Sequence, residues 1–203
     1  MKTKRPWLTI FLVLVVGLIF SSPTLTEQFI YNQQAVLHGE LWRLISAPLT
    51  HISARHLFWN LLVFAVFGGL VENINRCALV TIYVFTALAA GISYLWFVPE
   101  MAFYGGLSGQ ATGLVAYFAL YKISMCGDRK NLWPLLLVML LVKISVEWFS
   151  GTAIFSANQT TSFTVLPSAH LWGIAGAVIA LRWHNRAGHP RLSQNLHSGI
   201  FEQ

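Results

Sequence analysis

Charged residues are scarce in this chain: Asp, Glu, Lys and Arg together make up 10% of its 203 residues, and only seven of them are acidic. Soluble domains of ordinary composition contain about 25% charged residues. Hydrophobic residues make up 56% of the chain, and the mean hydropathy is positive. This composition excludes an ordinary soluble domain and predicts an integral membrane protein.

Cysteine and metal-binding motifs are also scarce. Cys77 and Cys126 are the two cysteines, and both fall in segments that we predict to be cytoplasmic, where thiols stay reduced. We therefore expect no structural disulfide. No predicted span contains a His-Glu-x-x-His motif or a paired-Asp motif, so we expect no metal ion and no cofactor.

Six apolar stretches approach or reach the ~20 residues that a spanning helix needs. They cover residues 7–25, 56–71, 77–98, 105–123, 132–149 and 166–183. Together they use most of the chain and leave no room for a separate soluble domain. The prediction is an all-α, polytopic membrane protein whose six-helix bundle forms one domain over residues 1–203.

The net charge of +6 is explained by membrane topology. With the N-terminus in the cytoplasm, ten of the thirteen basic residues lie on the cytoplasmic side, two on the opposite side and one in a span. The cytoplasmic residues are Lys2, Lys4, Arg5, Arg76, Lys122, Arg129, Lys130, Arg182, Arg186 and Arg191. Arg43 and Arg55 lie on the opposite side, and Lys143 lies in a span. The distribution follows the positive-inside rule with both termini cytoplasmic, so we expect a lipid bilayer and no nucleic acid as a partner.

Three segments outside the helix interiors have their own interpretations. The basic N-terminus and the apolar residues 7–20 are also typical of a cleavable signal, but Pro23 and Leu25 make a poor cleavage region, so a retained anchor is favoured. The first external segment, residues 22–55, is expected to dip partly into the membrane interface. The second, residues 150–165, is uncharged and rich in Ser and Thr, which predicts a flexible connection.

Polar residues converge on one level near the external surface. The second, fourth and sixth spans all run inward, and Ser108, His170, His56 and Asn60 lie within the opening turns of their helices, given a rise of ~1.5 Å per residue. His56 and Asn60 share one face of the second span at spacing i, i+4. Ionisable or reactive side chains in a span are costly and are candidates for function.

These residue types suit acyl transfer. Ser108 is a candidate nucleophile, and His170 is the one histidine in the fourth to sixth spans that could act as its base. The Asn60 amide, a His56 ring N–H and the backbone N–H of Ser108 are candidate oxyanion donors. No carboxylate other than Glu147 lies in a span near this depth, so a Ser-His dyad is favoured over a triad.

Glycines explain how the partners could approach. The fourth span carries a ridge of small residues at Gly105, Gly109 and Gly113, and the sixth carries another at Ala169, Gly173 and Ala177. Such ridges allow close helix packing.

Each feature also has a purely structural interpretation. The Gly106 to Gly109 motif could be a packing motif, His170 could be an interhelical hydrogen-bonding residue, and His56 and Asn60 could simply cap and anchor their helix. Their matched depth favours the functional interpretation. A transporter or channel is disfavoured because the inner halves of the spans are apolar.

The chain resembles the rhomboid family of intramembrane serine proteases. The resemblance rests on the residues Glu40-Leu41-Trp42-Arg43, His56-Leu57-Phe58-Trp59-Asn60, Gly106-Leu107-Ser108-Gly109 with Gly113, and Ala169-His170 with Gly173. It implies that Ser108 is the nucleophile, His170 the general base and acid, His56 and Asn60 the oxyanion donors, and Arg43 a structural anchor of the first loop. The alternative is a catalytically inactive relative that binds and escorts membrane helices.

Two features are similar to the rhombosortase branch: the compact six-span size, and Lys143-x3-Glu147-Trp148 followed by Gly151. That branch implies membrane-anchored substrates of the bacterial inner membrane with C-terminal Gly-Gly sorting tails, and a site facing the periplasm. The chain departs from the family pattern at Thr112, where relatives carry Tyr or His, which leaves the support of His170 open. The oligomeric state is also open.

Lys143 and Glu147 lie four residues apart on one helix face, which predicts an ion pair within the bundle. The pair is expected to be structural. Alternatively, Glu147, which lies nearer the external end, recognises a polar motif of the substrate.

Overall fold

A computed structural model describes residues 5–98, 102–125, 132–151 and 167–186. This part of the chain is almost entirely helical. Its elements, in chain order, are α1 (Trp7–Phe20), α2 (Pro23–Phe29), β1 (Tyr31–Asn32), α3 (Gln33–Leu37), α4 (Arg43–Ser46), a 3-10 turn (Ala47–Leu49), α5 (Ala54–Ile74), α6 (Arg76–Phe97), β2 (Phe103–Tyr104), α7 (Ser108–Met125), α8 (Leu132–Ser150) and α9 (Pro167–Arg186).

Each of the six long helices, α1 and α5 to α9, overlaps one of the six predicted spans, and the all-α class is confirmed. α5, α6 and α8 are long and apolar enough to cross a membrane on their own, and α1 with α2 would make a fourth such span. α7 and α9 are less apolar because small and polar residues form the faces that they pack against other helices.

The first helix is shorter than predicted, because α1 ends at Phe20 rather than continuing to Leu25. The Oγ of Ser22 accepts a hydrogen bond from the N–H of Leu25 and caps a new helix whose first residue is Pro23. Proline is well suited to a first helical position. As a result α2 turns away from α1 by 114°.

α7 is the central helix of the bundle, and it contacts α5, α6, α8 and α9. Residues 109–119 of α7 are all buried. The main apolar core surrounds it and includes Phe64, Ile82, Leu114, Tyr117 and Ala177. The helix that begins at Ser108 is therefore held by four neighbouring helices.

α7 and α9 cross at very short range through their small residues. A Cβ on Gly109 would lie 2.8 Å from the carbonyl oxygen of Ala169, and a Cβ on Gly113 would lie 2.7 Å from the carbonyl oxygen of Gly173. The contacts advance in the same direction along both helices, so α7 and α9 run parallel, as the positive-inside pattern predicted. Their N-terminal turns meet at one end of the bundle.

The first loop is ordered by one arginine. Arg43 is paired with Glu40 at 2.7 Å, and its Nη1 donates to the carbonyl oxygens of Glu27 (2.7 Å) and Ile30 (2.8 Å). Tyr31 of this loop pairs with Tyr104 in an antiparallel β-bridge. The loop therefore braces the segment that leads into Ser108. The predicted flexible connection falls almost wholly on residues 152–166 and lies outside the described residues, as does Cys126.

Candidate active site

Ser108 and His170 lie in adjoining helix turns. Ser108 is the first residue of α7 and is followed by Gly109; His170 lies in the first turn of α9 and is preceded by Ala169. Gly109 and Ala169 are the residues whose backbones make the close contact between the two helices. Ser108 is half-buried and His170 is 4% exposed. A reactive pair could form here because no side chain separates the two helices.

Gly106 shapes the turn before Ser108. Its φ of +124° is a backbone conformation that favours glycine. A Cβ at this position would also lie 2.8 Å from Cε1 of the His56 ring. Gly106 thus lets the ring of His56, from the first turn of α5, lie directly against the backbone two residues before Ser108.

A buried histidine, His51, connects α5 to the same turn. Its Nε2 accepts from the N–H of Leu107 at 3.4 Å and lies 3.1 Å from Nδ2 of Asn60. An Nε2 atom that accepts must carry no proton, so the ring proton is on Nδ1. Burial, with a smaller contribution from His56, lowers the pKa of His51 to about 3. The ring is therefore neutral and holds Asn60 beside the residue that precedes Ser108.

A carboxylate lies against the imidazole ring of His170. Oε2 of Glu147, in the last turn of α8, is 3.2 Å from Nδ1 of His170 and 2.7 Å from Nζ of Lys143. The ion pair that the Lys143–Glu147 spacing predicts is therefore present. The His170–Glu147 contact is close but bent, and it lacks the linear geometry of a strong hydrogen bond.

The structure thus brings together the predicted residues from four helices. His56 and Asn60 come from α5, Ser108 and its glycines from α7, Lys143 and Glu147 from α8, and His170 and Gly173 from α9. Within the described residues, no group of three or more His, Cys, Asp or Glu is arranged to hold a metal ion.

Two features of the site escaped the sequence reasoning. The contact between Glu147 and His170 was not predicted, although a carboxylate near the external end of a span was a signal for it. His51 is not among the site residues that the sequence predicts. Its spacing of five residues before His56 gave no indication that it would bond both Asn60 and Leu107.

Comparisons with known proteins point in one direction. Residues 38–187 match the family described as the rhomboid domain. The rhomboid protease GlpG of Klebsiella pneumoniae is 30% identical over 140 residues, which is 68% of this chain and 47% of the relative. That of Photorhabdus laumondii is 26% identical over 161 residues (79% and 52%), and the chloroplastic rhomboid-like protein 11 of Arabidopsis thaliana is 27% identical over 141 residues (69% and 50%). The chain spans about half the length of the curated relatives that it matches.

Proposed function

The chain belongs to the rhomboid family, and from that membership and the geometry of its site we propose that it is an intramembrane serine protease. The observation that carries the proposal is the backbone contact between Gly109 and Ala169, which brings the helix turns of Ser108 and His170 together. A hydroxyl and an imidazole that meet at one end of a membrane bundle can form a nucleophile and its base.

In the proposed reaction the Ser108 hydroxyl attacks the carbonyl carbon of a peptide bond in or beside the substrate's membrane segment. Nε2 of His170 takes the hydroxyl proton and returns it to the leaving amine, which departs with the C-terminal fragment. A water molecule, activated by the same ring, then hydrolyses the acyl-serine ester. Because Ser108 is half-buried at a helix end rather than deep in the bundle, water can reach this step.

The tetrahedral intermediate carries a negative oxygen that needs hydrogen-bond donors. Asn60 and His56 are suited to this task, because both come from the first turns of α5 and the ring of His56 packs against Gly106. Such donors stabilise the transition state by several kcal/mol, and losing one costs about 10²- to 10³-fold in rate.

The substrates that we propose are membrane-anchored proteins of the bacterial inner membrane whose C-terminal tails carry a Gly-Gly motif, an apolar span and a basic cluster. The proposal rests on the resemblance of the Lys143 and Glu147 pattern to the rhombosortase branch. In the proposed orientation both termini are cytoplasmic and the site faces the periplasm. A tagged reporter with such a tail should be cleaved, and one in which the Gly-Gly motif is replaced by Leu-Leu should be cleaved more slowly.

The decisive experiment combines substrate processing with covalent labelling. We expect a serine-directed fluorophosphonate to label the wild type, no labelling or processing in S108A, and a loss of about 10²- to 10⁴-fold in H170A, the usual cost of removing a general base.

The rival function is a catalytically inactive protein that binds and escorts membrane helices. Processing that is unchanged in S108A, with no fluorophosphonate adduct on the wild type, would favour that rival and remove the protease assignment. As a control, S108A and the wild type should have the same expression level and the same thermal stability.

A further inference from the structure

We propose that Glu147 is a positioning residue for His170, so that the site works as a Ser108–His170–Glu147 triad in which Lys143 holds the carboxylate. The inference rests on the proposed protease function and deepens it. It adds a carboxylate to the dyad that the sequence favours.

The first support is the way α8 packs. Among the described residues of this 19-residue helix, the side chains that are buried are Ile144 and Glu147. The remainder of its surface is partly or fully exposed and mostly apolar, as expected for a face toward lipid. A glutamate that turns inward from such a helix, at 2% exposure, is costly unless a partner stabilises it.

The second support is the partner that Glu147 meets. Its Oε2 lies 3.2 Å from Nδ1 of His170, and this buried nitrogen has no other polar partner within the described part of the chain. A carboxylate beside Nδ1 favours the tautomer that carries its proton there, which leaves the lone pair of Nε2 free for the Ser108 proton.

Lys143 gives the arrangement its charge balance. Its Nζ lies 2.7 Å from the same Oε2, and its side chain is 23% exposed. Without a cation nearby, a buried carboxylate tends to take up a proton and become neutral. The Lys143 ammonium therefore compensates the charge of the Glu147 carboxylate.

The carboxylate has a further role during the reaction. When the O–H bond of Ser108 breaks, its proton forms a bond to Nε2 and the ring becomes a cation. The Nδ1–H group keeps its proton and donates a hydrogen bond to Oε2 of Glu147, so the new positive charge lies beside an existing negative charge. The proton on Nε2 then passes to the leaving amine, and the ring returns to its neutral form.

The position of Thr112 agrees with this assignment. Thr112 lies one turn after Ser108 and is buried, at the position where the resemblance leads one to expect Tyr or His beside the catalytic histidine. Here the residue that contacts His170 is a carboxylate of α8, Glu147.

The test is kinetic, in the full-length protein in detergent or proteoliposomes, with E147Q and the double variant K143M/E147Q. The double variant removes both charges together, so it keeps the bundle free of an unpaired buried cation. We expect kcat to fall about 10²- to 10⁴-fold in both variants, as for loss of the orienting carboxylate of a serine protease. KM should change less than about threefold, because no substrate contact is lost. E147D should recover part of the rate.

A fluorophosphonate probe separates positioning from substrate recognition, because it carries no peptide tail. The rate of Ser108 labelling should fall in parallel with kcat. The matched control is E72Q at the opposite end of α5: Glu72 is another nearly buried carboxylate, which accepts from the backbone N–H groups of Leu8 and Thr9. This variant should lower thermal stability and leave kcat of the folded protein unchanged.

Three outcomes decide the matter. Wild-type kcat and labelling in a folded K143M/E147Q protein would overturn the inference while leaving the protease function intact. A change in KM or in tail preference with unchanged labelling would also overturn it, and would assign Glu147 to substrate recognition. Absence of Ser108-dependent turnover in the wild type would overturn the proposed function and the inference with it.

Discussion

His51 is a residue whose importance lies in its hydrogen bonds rather than in direct chemistry. It is 2% exposed, and its Nε2 links the Asn60 side chain to the backbone N–H of Leu107. Both contacts need an unprotonated Nε2, so the site depends on a neutral ring. Burial, the main cause of its low pKa, keeps the ring in that form.

The low pKa of His51 predicts an acid-sensitive fold. The unfolded chain takes up a proton near the ordinary pKa of 6.5, whereas the folded chain does so near 3. Between these values the unfolded state binds more protons, so the free energy of unfolding decreases as pH falls, by roughly 1 kcal/mol per pH unit. The stability that this ring contributes is complete above 6.5 and is lost progressively below it.

The variant H51Q should lose this pH dependence. The drop in Tm from pH 7 to pH 5 should be about 4 °C smaller than in the wild type, although H51Q is less stable at pH 7. Melting curves recorded in detergent at both pH values measure this change in Tm. The control is H38Q, a change at an exposed histidine, which should keep the wild-type slope. Equal slopes in H51Q and wild type would contradict the prediction.

At the scale of the elements, the crossing of α7 and α9 determines the site. Gly109 and Gly113 face the carbonyl groups of Ala169 and Gly173, and a Cβ on Gly173 would overlap the carbonyl oxygen of Gly109. Gly176, about one turn after Gly173, packs against Phe85 and Thr86 of α6. α9 is therefore held from two directions, and the turn that carries His170 has little freedom.

The variant G173A should separate the two helices. The added methyl group meets backbone atoms, which cannot rotate away, so we expect a loss of about 1–3 kcal/mol in the free energy of unfolding, the usual cost of overpacking. Labelling of Ser108 by a fluorophosphonate should also slow. Thermal melting and labelling rates measure the two effects.

The matched control for this variant is G17A in α1, where a Cβ would meet nothing within 4 Å. Alanine is favoured over glycine in a helix interior by up to about 1 kcal/mol, so G17A should be neutral or slightly stabilising. A G173A protein as stable and as reactive as G17A would mean that the crossing is looser than its geometry indicates.

At the scale of the whole molecule, the direction of the helices decides which face of the membrane the site serves. α5, α7 and α9 begin at the end of the bundle where His56, Ser108 and His170 lie, and α8 finishes there with Glu147. The opposite end carries Glu72, which accepts from the first turn of α1, and Arg76. The basic residues favour the cytoplasm for that second end.

This orientation can be tested by cysteine accessibility. In C126S, Cys77 is the remaining thiol, and it is exposed at the start of α6. In H38C/C77S/C126S the thiol lies on the exposed surface of the first loop, at the end of the bundle that contains the site. In spheroplasts, a membrane-impermeant maleimide should label H38C/C77S/C126S directly. It should label C126S only after the membrane has been permeabilised. The reverse pattern would place the site in the cytoplasm.

The common level of Ser108 and His170 within the bundle was predicted from the sequence. Apolar stretches located the six long helices, the basic residues predicted that α7 and α9 run in the same direction, and the helical rise then put Ser108 and His170 at one level. The small-residue ridges marked the faces that meet. These properties depend on near neighbours along the chain, so they can be read from local patterns.

What the sequence by itself determined was thus the class of protein, the order of the helices and the level of the candidate nucleophile and base. Only the tertiary structure decided that Glu147 meets His170 and that His51 joins Asn60 to Leu107. These contacts depend on the rotation of α8 and on the course of the first loop. Both are set by packing between residues far apart in sequence, such as Arg43 against the carbonyl of Glu27, and helical periodicity carries no information about that packing.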